Sequence, residues 1–574
     1  MNIFEYHLTE IKEVILSKKN NLNLNEINDF KGVSLEVPPD QFNYDLSCNI
    51  AMILGKKNKI RPKELALKLK VIFLEKISNF SLIEIAGPGF MNIKLSNSAL
   101  LNNINSIFKN KKFYGSVKDN KTYNIEFVSA NPTGPMHVGH CRGAIYGDVL
   151  ANLLKFNGNK VTKEYYVNDY GEQIKFFVES VYFRIQEIKY NKKFPEQENL
   201  YPGLYIKDIA SKIIHENKDF TFNDFTKNFE FLKKESLKKS MELIKKDLKN
   251  LGITHDNFFS ETEIVNKDLV TKAIKILKEK RFVEEGFLQP PKGETNDNWK
   301  KMKRLIFKST LFGDDADRAL QKNDGSWTYF ANDVAYHMNK VSRNYENLVN
   351  VLGADHTGYT KRIKAAVSAL SDKKVKIKCV VCQLVKLFKN GSPFKMSKRA
   401  GEFISAQDLL NEVEKDQIRF MMLNRSNDVE LDFDFNKVLE KSKDNHVFYV
   451  QYCYARIKSL TRILNLNLND PINFDNEKFN LNHFDIKILR KIYNWPKVLE
   501  SASKYYEPHR ITFYLYDLAT LFHSYWSRGN KEDQYKFVIN NKIKSLNTFA
   551  VIKLLSIVIE NGMKILNVSL PEKM

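Results

Sequence analysis

The stretch that most limits what this chain can become runs from residue 122 to residue 167. Tyr123–Ser129 (YNIEFVS) reads as a strand. A turn built on prolines and glycines follows. From about residue 137, Ala144, Ile145, Val149, Leu150, Leu153 and Leu154 recur at helical spacing, and Asn157-Gly158 closes the helix. KVTKEYYV (160–167) is a second strand. Strand, turn, helix, strand is the opening unit of a doubly wound parallel sheet, because parallel neighbours need a long crossover between them. The expected fold class is α/β.

At 574 residues the chain exceeds what one core normally holds. Residues 1–112 read as an α+β N-terminal domain that closes with the β-like IEIAGPGFMNIKL and a loop rich in Lys, Asn and Gly. Residues 113–435 carry the α/β pattern, which resumes in NLVNVLGADH (347–356) and in strands at 375–388. The stretch at about 175–300 is helical in pattern, charged and lysine-rich, and reads as an insertion. Residues 436–574 read as helix throughout, with a polar loop at 465–482 and no strand signal, giving an all-α C-terminal domain.

The longest apolar runs, such as Val551–Ile559 with a lysine inside, are too short to cross a bilayer. The N-terminus has the pattern of an amphipathic helix rather than a signal peptide, so a cytoplasmic protein without a membrane partner is expected. The net charge of +22 suits a polyanion, although the abundance of Lys, Asn, Ile and Phe makes part of that charge ordinary solvated surface. Cys379 and Cys382 have the spacing of a zinc or redox pair. The segment VKIKCVVCQLVKLF alternates like a strand, which puts the two thiols on opposite faces, and no second pair completes a site. No protein-bound structural metal is expected.

Two stretches carry chemistry. In SANPTGPMHVGHCRG (129–143) the turn delivers His137 and His140 to the start of the helix, on one face. A helix N-terminus attracts anions, and Gly139 and Gly143 leave room for a flat ring or a backbone. A phosphate with an adenine is a coherent ligand. An ordinary helix start with two half-exposed histidines is the plainer reading, and a metal pair lacks further ligands. The second stretch, KNGSPFKMSKRAG (389–401), is a loop bearing Lys389, Lys395, Lys398 and Arg399, before a helix capped by Ser405 and Asp408. Such a loop can close over a triphosphate, or simply stay solvated.

Taken together, an HxGH turn in the first half of the sheet and a KMSK loop at the end of the second resemble the class I aminoacyl-tRNA synthetases, with Val138 in place of the commoner isoleucine. The resemblance implies a Rossmann-like catalytic domain. It also implies that His137, His140, Lys395 and Lys398 stabilise the α-phosphate transition state, with Gly139, Met396 and Ser397 beside ATP. GADH (353–356) falls where this class holds the adenosine ribose, which makes Gly353, Asp355 and His356 candidate ATP ligands. Within the class the chain is most similar to the arginyl-tRNA synthetases over nearly its whole length. The matching stretches are EFVSANPTGPMHVGHCRGAIYGD (126–148), YVNDYGEQ (166–173), DGSWTYFANDVAYH (324–337), QLVKLFKNGSPFKMSKRAGEFIS (383–405), YVQYCYARI (449–457) and the ending LPEKM.

By that resemblance Glu126, Ser129, Asn131, Tyr329 and Asp333 form an arginine site. Chemistry agrees, since a guanidinium is a planar cation with five donors that wants carboxylates and an aromatic, and Glu126 and Asp333 supply two charges. Members of the family often lack the second lysine of the loop, which Lys398 supplies here. Some place a glutamine near the GADH position, where this chain has Asp355 and His356. The resemblance further implies ATP with Mg2+ as substrate, an arginine-accepting tRNA as partner, activation that needs bound tRNA, and a monomer. The N-terminal domain would meet the outer corner of the tRNA, and the C-terminal bundle the anticodon, through Tyr449, Arg456 and Met574. Core packing is expected to claim at least two of Tyr449, Tyr452 and Tyr454. Rival readings are a small-molecule nucleotidylyltransferase, usually a shorter chain without such a bundle, a catalytically silent tRNA-binding paralogue, and a synthetase for another amino acid.

Overall fold

The computed structural model describes residues 2–24, 27, 29–39, 42–287, 303–394, 404–468, 472 and 479–574. The chain opens with α1 (Ile3–Ser17), whose first turn is capped by Asn2, and then β1 (Leu35–Glu36), β2 (Leu46–Cys48), α2 (Ile50–Lys57), α3 (Pro62–Lys76), β3 (Phe80–Ala86), β4 (Phe90–Leu95) and α4 (Asn97–Lys109). The strands form an antiparallel sheet in the order β1-β2-β4-β3. Ile83, Met91 and Ile93 on it are buried, whereas Leu82 and Phe90 are exposed.

The parallel sheet has the order β12-β11-β5-β6-β7, built from β5 (Thr122–Glu126), β6 (Lys160–Val167), β7 (Asn257–Ser260), β11 (Asn347–Gly353) and β12 (Lys376–Cys382). β5 comes first in the chain. The sheet then grows to one side through β6 and β7, and to the other through β11 and β12, so the strand order reverses between β5 and β11. At such a switch point the connections leave in opposite directions and open a crevice above the carboxyl ends of the strands. Helix α5 (Val138–Phe156) packs against β5, β6 and β11. A second buried cluster is built from α10 (Leu269–Glu279), α11 (Tyr329–Ser342) and α12 (Thr360–Leu370), with Phe259, Ala273, Phe330, Val334 and Ala365 at its centre. Cys379 and Cys382 are both buried in β12, as free thiols.

The insertion differs from the sequence reading in extent. Helices α6 (Glu172–Tyr190), α7 (Leu204–Glu216) and α8 (Phe225–Asn250) pack on their own core around Phe177, Ile209 and Phe222. The chain then returns to the sheet at β7, inside the stretch expected to be insertion, passes through α9 (Glu261–Asn266), and adds β8 (Val283–Gly286), β9 (Arg304–Phe307) and β10 (Arg318–Ala319) as a small antiparallel sheet. β7 is four residues long, too short to show a period of two.

Beyond β12, the strands β13 (Val385–Lys389), β14 (Ser392–Pro393) and β15 (Leu431–Asp434) pair with one another, and α13 (Ala406–Glu412) and α14 (Lys415–Met422) lie between β14 and β15 in the chain. After α15 (Phe435–Leu439) comes the bundle of α16 (His446–Ile463), α17 (His483–Tyr493), α18 (Trp495–Tyr505), α19 (His509–Gly529) and α20 (Leu546–Leu566). One small hairpin interrupts it, β16 (Val538–Ile539) with β17 (Lys542–Ile543), where helix throughout was expected. Asn540 and Asn541 at its tip have φ of 49° and 56°, and asparagine tolerates that left-handed backbone better than most residues.

A buried arginine fastens these parts. Arg419 of α14 is 0% exposed and donates to Leu566 O at 2.8 Å, Leu251 O at 2.9 Å and Asp148 Oδ2 at 2.6 Å. Asp148 also receives Lys163 at 2.6 Å. Arg419→Ala would leave Asp148 short of one partner and two buried carbonyls unmatched. A destabilisation of about 3–5 kcal/mol is expected, read as a lower unfolding midpoint.

Candidate active site

The strand predicted as 123–129 ends at Glu126, because the backbone turns there. Val128 and Ser129 have φ of 72° and 43°, and the Ser129 N–H donates to Phe127 O at 3.1 Å. A β-branched residue at positive φ is strained. Ser129 holds the turn in place. Its hydroxyl accepts from the Tyr166 N–H at 3.0 Å and donates to Glu126 Oε1 at 3.3 Å.

Eight residues after Ser129, His137 caps α5 and its ring stacks on that of His140, with centroids 3.6 Å apart. His140 Nδ1 accepts from the His137 N–H at 3.3 Å, which leaves the ring proton of a neutral His140 on Nε2. Burial pushes the His137 pKa down, and burial together with His137 pushes that of His140 down to about 3. The pair therefore offers neutral donors rather than cations. Gly139 has a task within the turn itself. A Cβ there would lie 2.8 Å from His137 Cε1, so the glycine makes room for the histidine itself. In the free protein the His140 ring should show no titration between pH 5 and 9 by NMR; a midpoint near 6.5 would contradict this environment.

Lys395, Met396, Ser397 and Lys398 lie outside the described residues. The residues just after them are anchored on the histidine turn. The Val138 N–H donates to Ile404 O at 2.9 Å and the Ala406 N–H to Met136 O at 2.8 Å. Ser405 and Asp408 form the expected capping box of α13. Ile404 and Ala406 are thus fixed beside His137. On the other side of the crevice, β11 ends at Gly353, and Asp355 and His356 follow in a short 3-10 turn with exposed side chains 3.3 Å apart. A Cβ at Gly353 would lie 2.6 Å from Asp355 Oδ1. The histidine turn and GADH therefore flank the switch point from adjacent strands.

An acidic, aromatic pocket adjoins the turn. Tyr166 at the end of β6 is raised well above its ordinary pKa, by burial first and then by Glu261, Asp333, Glu126 and Asp169 around it. Asp333 lies one turn along α11 from Tyr329, as expected from the spacing. Burial and the like charges of Glu126 and Glu261 push its carboxyl up to about 7, against the Tyr359 hydroxyl and Lys340. Tyr329 is 77% exposed, with the Lys322 ammonium 5.7 Å from its ring. Asn131 accepts from Asn168 at 3.1 Å and donates to Gln173 at 2.9 Å. Tyr166, Glu261, Lys340 and Tyr359 went unnoticed in the sequence. Tyr166 does lie inside YVNDYGEQ, and Lys340 is seven residues after Asp333 on the same helix, which are the signals that could have drawn attention to them.

A model of the class I tRNA synthetase (R) catalytic domain matches residues 103–458, the arginyl tRNA synthetase N-terminal domain matches 9–95, and the DALR anticodon binding domain matches 450–574. An arginine–tRNA ligase from Pelagibacter ubique is 53% identical over all of both chains, and one from Rickettsia bellii is 43% identical over 99% of each. The chain belongs to the arginine–tRNA ligase family. The arginyl-tRNA synthetase of Thermus thermophilus shares the fold, with a TM-score of 0.70 at 17% identity over 99% of both chains.

The family's anticodon-binding domain corresponds here to the helical bundle. Tyr449 and Arg456 sit in one aromatic knot on α16 and α19. The Arg456 guanidinium lies 4.3 Å from the Tyr452 ring centre and 5.0 Å from that of Trp526, and donates to Tyr452 Oη at 3.0 Å and His523 Nδ1 at 3.1 Å. His523 Nε2 then donates to Tyr449 O at 3.0 Å. Tyr454 is buried, whereas Tyr449 and Tyr452 are only half-buried, so packing claims one of the three tyrosines fully rather than two. The C-terminal tail runs back along α16, with Glu572 paired to Lys458 at 2.9 Å and Met574 exposed.

Proposed function

We propose that this chain joins L-arginine to its tRNA at the expense of ATP, using the crevice at the β5/β11 switch point for ATP and the pocket around Tyr166 for the amino acid. The observation that carries this reading is that a single turn, Ser129 to His140, leads from the acidic pocket to the neutral histidine pair. ATP enters with Mg2+ as substrate. Among the described residues no group of three or more His, Cys, Asp and Glu is placed to hold a metal.

The arginine carboxylate attacks the α-phosphate, arginyl-adenylate forms and pyrophosphate leaves. The terminal 2′-hydroxyl of the tRNA then attacks the arginyl carbonyl, and AMP leaves. His140 Nε2–H donates to the developing phosphoryl charge at the N-terminus of α5, with His137 stacked on it. Lys395 and Lys398 neutralise the departing pyrophosphate, and Met396, Ser397 and Gly139 bind ATP. Asp355 and His356, after Gly353, hold the ribose side. Asp333 with Tyr329 receives the guanidinium, and Ser129 and Asn131 face the ammonium and carboxylate. Positioning and charge stabilisation supply most of the rate in such a reaction. Tyr449, Arg456 and Met574 meet the tRNA, where aromatic stacking and guanidinium contacts suit unpaired bases. The chain acts as a cytoplasmic monomer.

The test compares arginine with citrulline, which is nearly isosteric and neutral, in acylation of bulk tRNA with ATP. Arginine should be esterified with release of AMP, and citrulline used about 10⁴-fold less efficiently, because unpaired carboxylates reject it. Comparable use of citrulline would sink the assignment of the pocket.

A further inference from the structure

Helix α11 carries a buried cation into the acidic pocket. The Lys340 side chain is 0% exposed, and its ammonium pairs with Glu126 Oε2. It also donates to Asn350 Oδ1 at 3.1 Å and lies 4.4 Å from the Tyr336 ring centre. The arrangement is braced from behind. Asn350 meets His337 Nε2 at 2.9 Å, and His337 Nδ1 donates to Asp333 O at 2.8 Å. The other oxygen of Glu126 accepts from Ser129 Oγ at 3.3 Å. Both oxygens of Glu126 are therefore engaged before any substrate arrives, one of them by a full positive charge. Asp333 forms no ion pair among the described residues; its side-chain hydrogen bond comes from the neutral Tyr359 hydroxyl.

We propose that Lys340 is a positioning residue for arginine selection: as the resident counter-ion of Glu126, it removes Glu126 from the charge balance of the incoming guanidinium, which then falls to Asp333. A bidentate guanidinium needs a carboxylate that no cation already holds, which Asp333 offers and the paired Glu126 does not. Lys340 also offsets one of the negative charges that Glu126, Asp333 and Glu261 bring together. Held by Lys340 and Ser129, Glu126 fixes the strained turn that leads to the histidines. This inference rests on the arginine pocket proposed above.

A double-mutant cycle tests it, with kcat and KM measured separately for arginine and for ATP in tRNA acylation. Glu126→Gln alone leaves a buried ammonium facing a cationic substrate, so the arginine KM should rise about 10²-fold while the ATP KM stays within about twofold. Glu126→Gln combined with Lys340→Met removes both charges, a replacement that buried ion pairs often tolerate, and should return the arginine KM to within about tenfold of the parent. If Glu126 were itself the guanidinium partner, the double variant would remain as poor as Glu126→Gln. That result, or an unchanged arginine KM in Glu126→Gln, overturns the proposal. Lys340→Met alone strands a buried carboxylate, and the cycle does not depend on its folding. Asp333→Asn is the reference: an unchanged arginine KM there would remove the pocket itself and the proposal with it.

Discussion

Replacing Asp333 with Asn should lower kcat/KM for arginine by about 10²–10³-fold and leave ATP binding nearly unchanged, because it removes the charge on one side of a largely desolvated ion pair. The same carboxyl sets a pH dependence. With its pKa raised to about 7 in the empty pocket, it favours the folded protein while protonated, and that contribution fades as pH rises through 7. Arginine pairs with the carboxylate alone. Its apparent affinity should therefore fall about tenfold per unit well below pH 7. The thermal stabilisation that arginine confers should be larger at pH 8 than at pH 6. In Asp333→Asn both trends should flatten. Equal loss of ATP and arginine binding, or a variant that keeps the parent's pH profile, would assign Asp333 a different role.

The second large effect belongs to the phosphate end. His140→Ala and Lys398→Ala should each slow adenylate formation by about 10²–10³-fold, the usual scale for removing one preorganised donor from a transition state. Pyrophosphate exchange in the presence of tRNA would measure it. Combined, the two changes should cost less than the product of their separate effects, since both act on the same phosphoryl group. The His140 effect should not depend on pH between 6 and 8, because the imidazole is already neutral there. A rate for either variant close to the parent's would show that its group does not touch the reacting phosphate.

Much of this arrangement was legible in the sequence because it is local. The strand, the Pro/Gly turn and α5 follow one another within 35 residues, and GADH could be placed at the end of β11 from its apolar run alone. Tyr329 and Asp333 share a face because helical spacing requires it. What escaped notice depends on distant contacts. The seven-residue spacing puts Lys340 on the Asp333 face of α11, but its burial comes from Glu126, 214 residues earlier, and from β11. A lysine on an amphipathic helix ordinarily reads as surface. The early end of β5 is hidden because Phe127 and Val128 are good strand formers, and the bonds of Ser129 to Tyr166 and Glu126 accompany the strained backbone of Val128. Strand β7 is too short to announce itself, so the insertion expected from sequence extends about 40 residues past the actual return to the sheet.

The most direct measurement is acylation of total tRNA by the purified chain with ATP and each of the twenty amino acids in turn. Arginine alone should be incorporated, with release of AMP and pyrophosphate. Incorporation of any other amino acid at a comparable rate, or no acylation with arginine when tRNA and ATP are both present, would contradict the function proposed for this site.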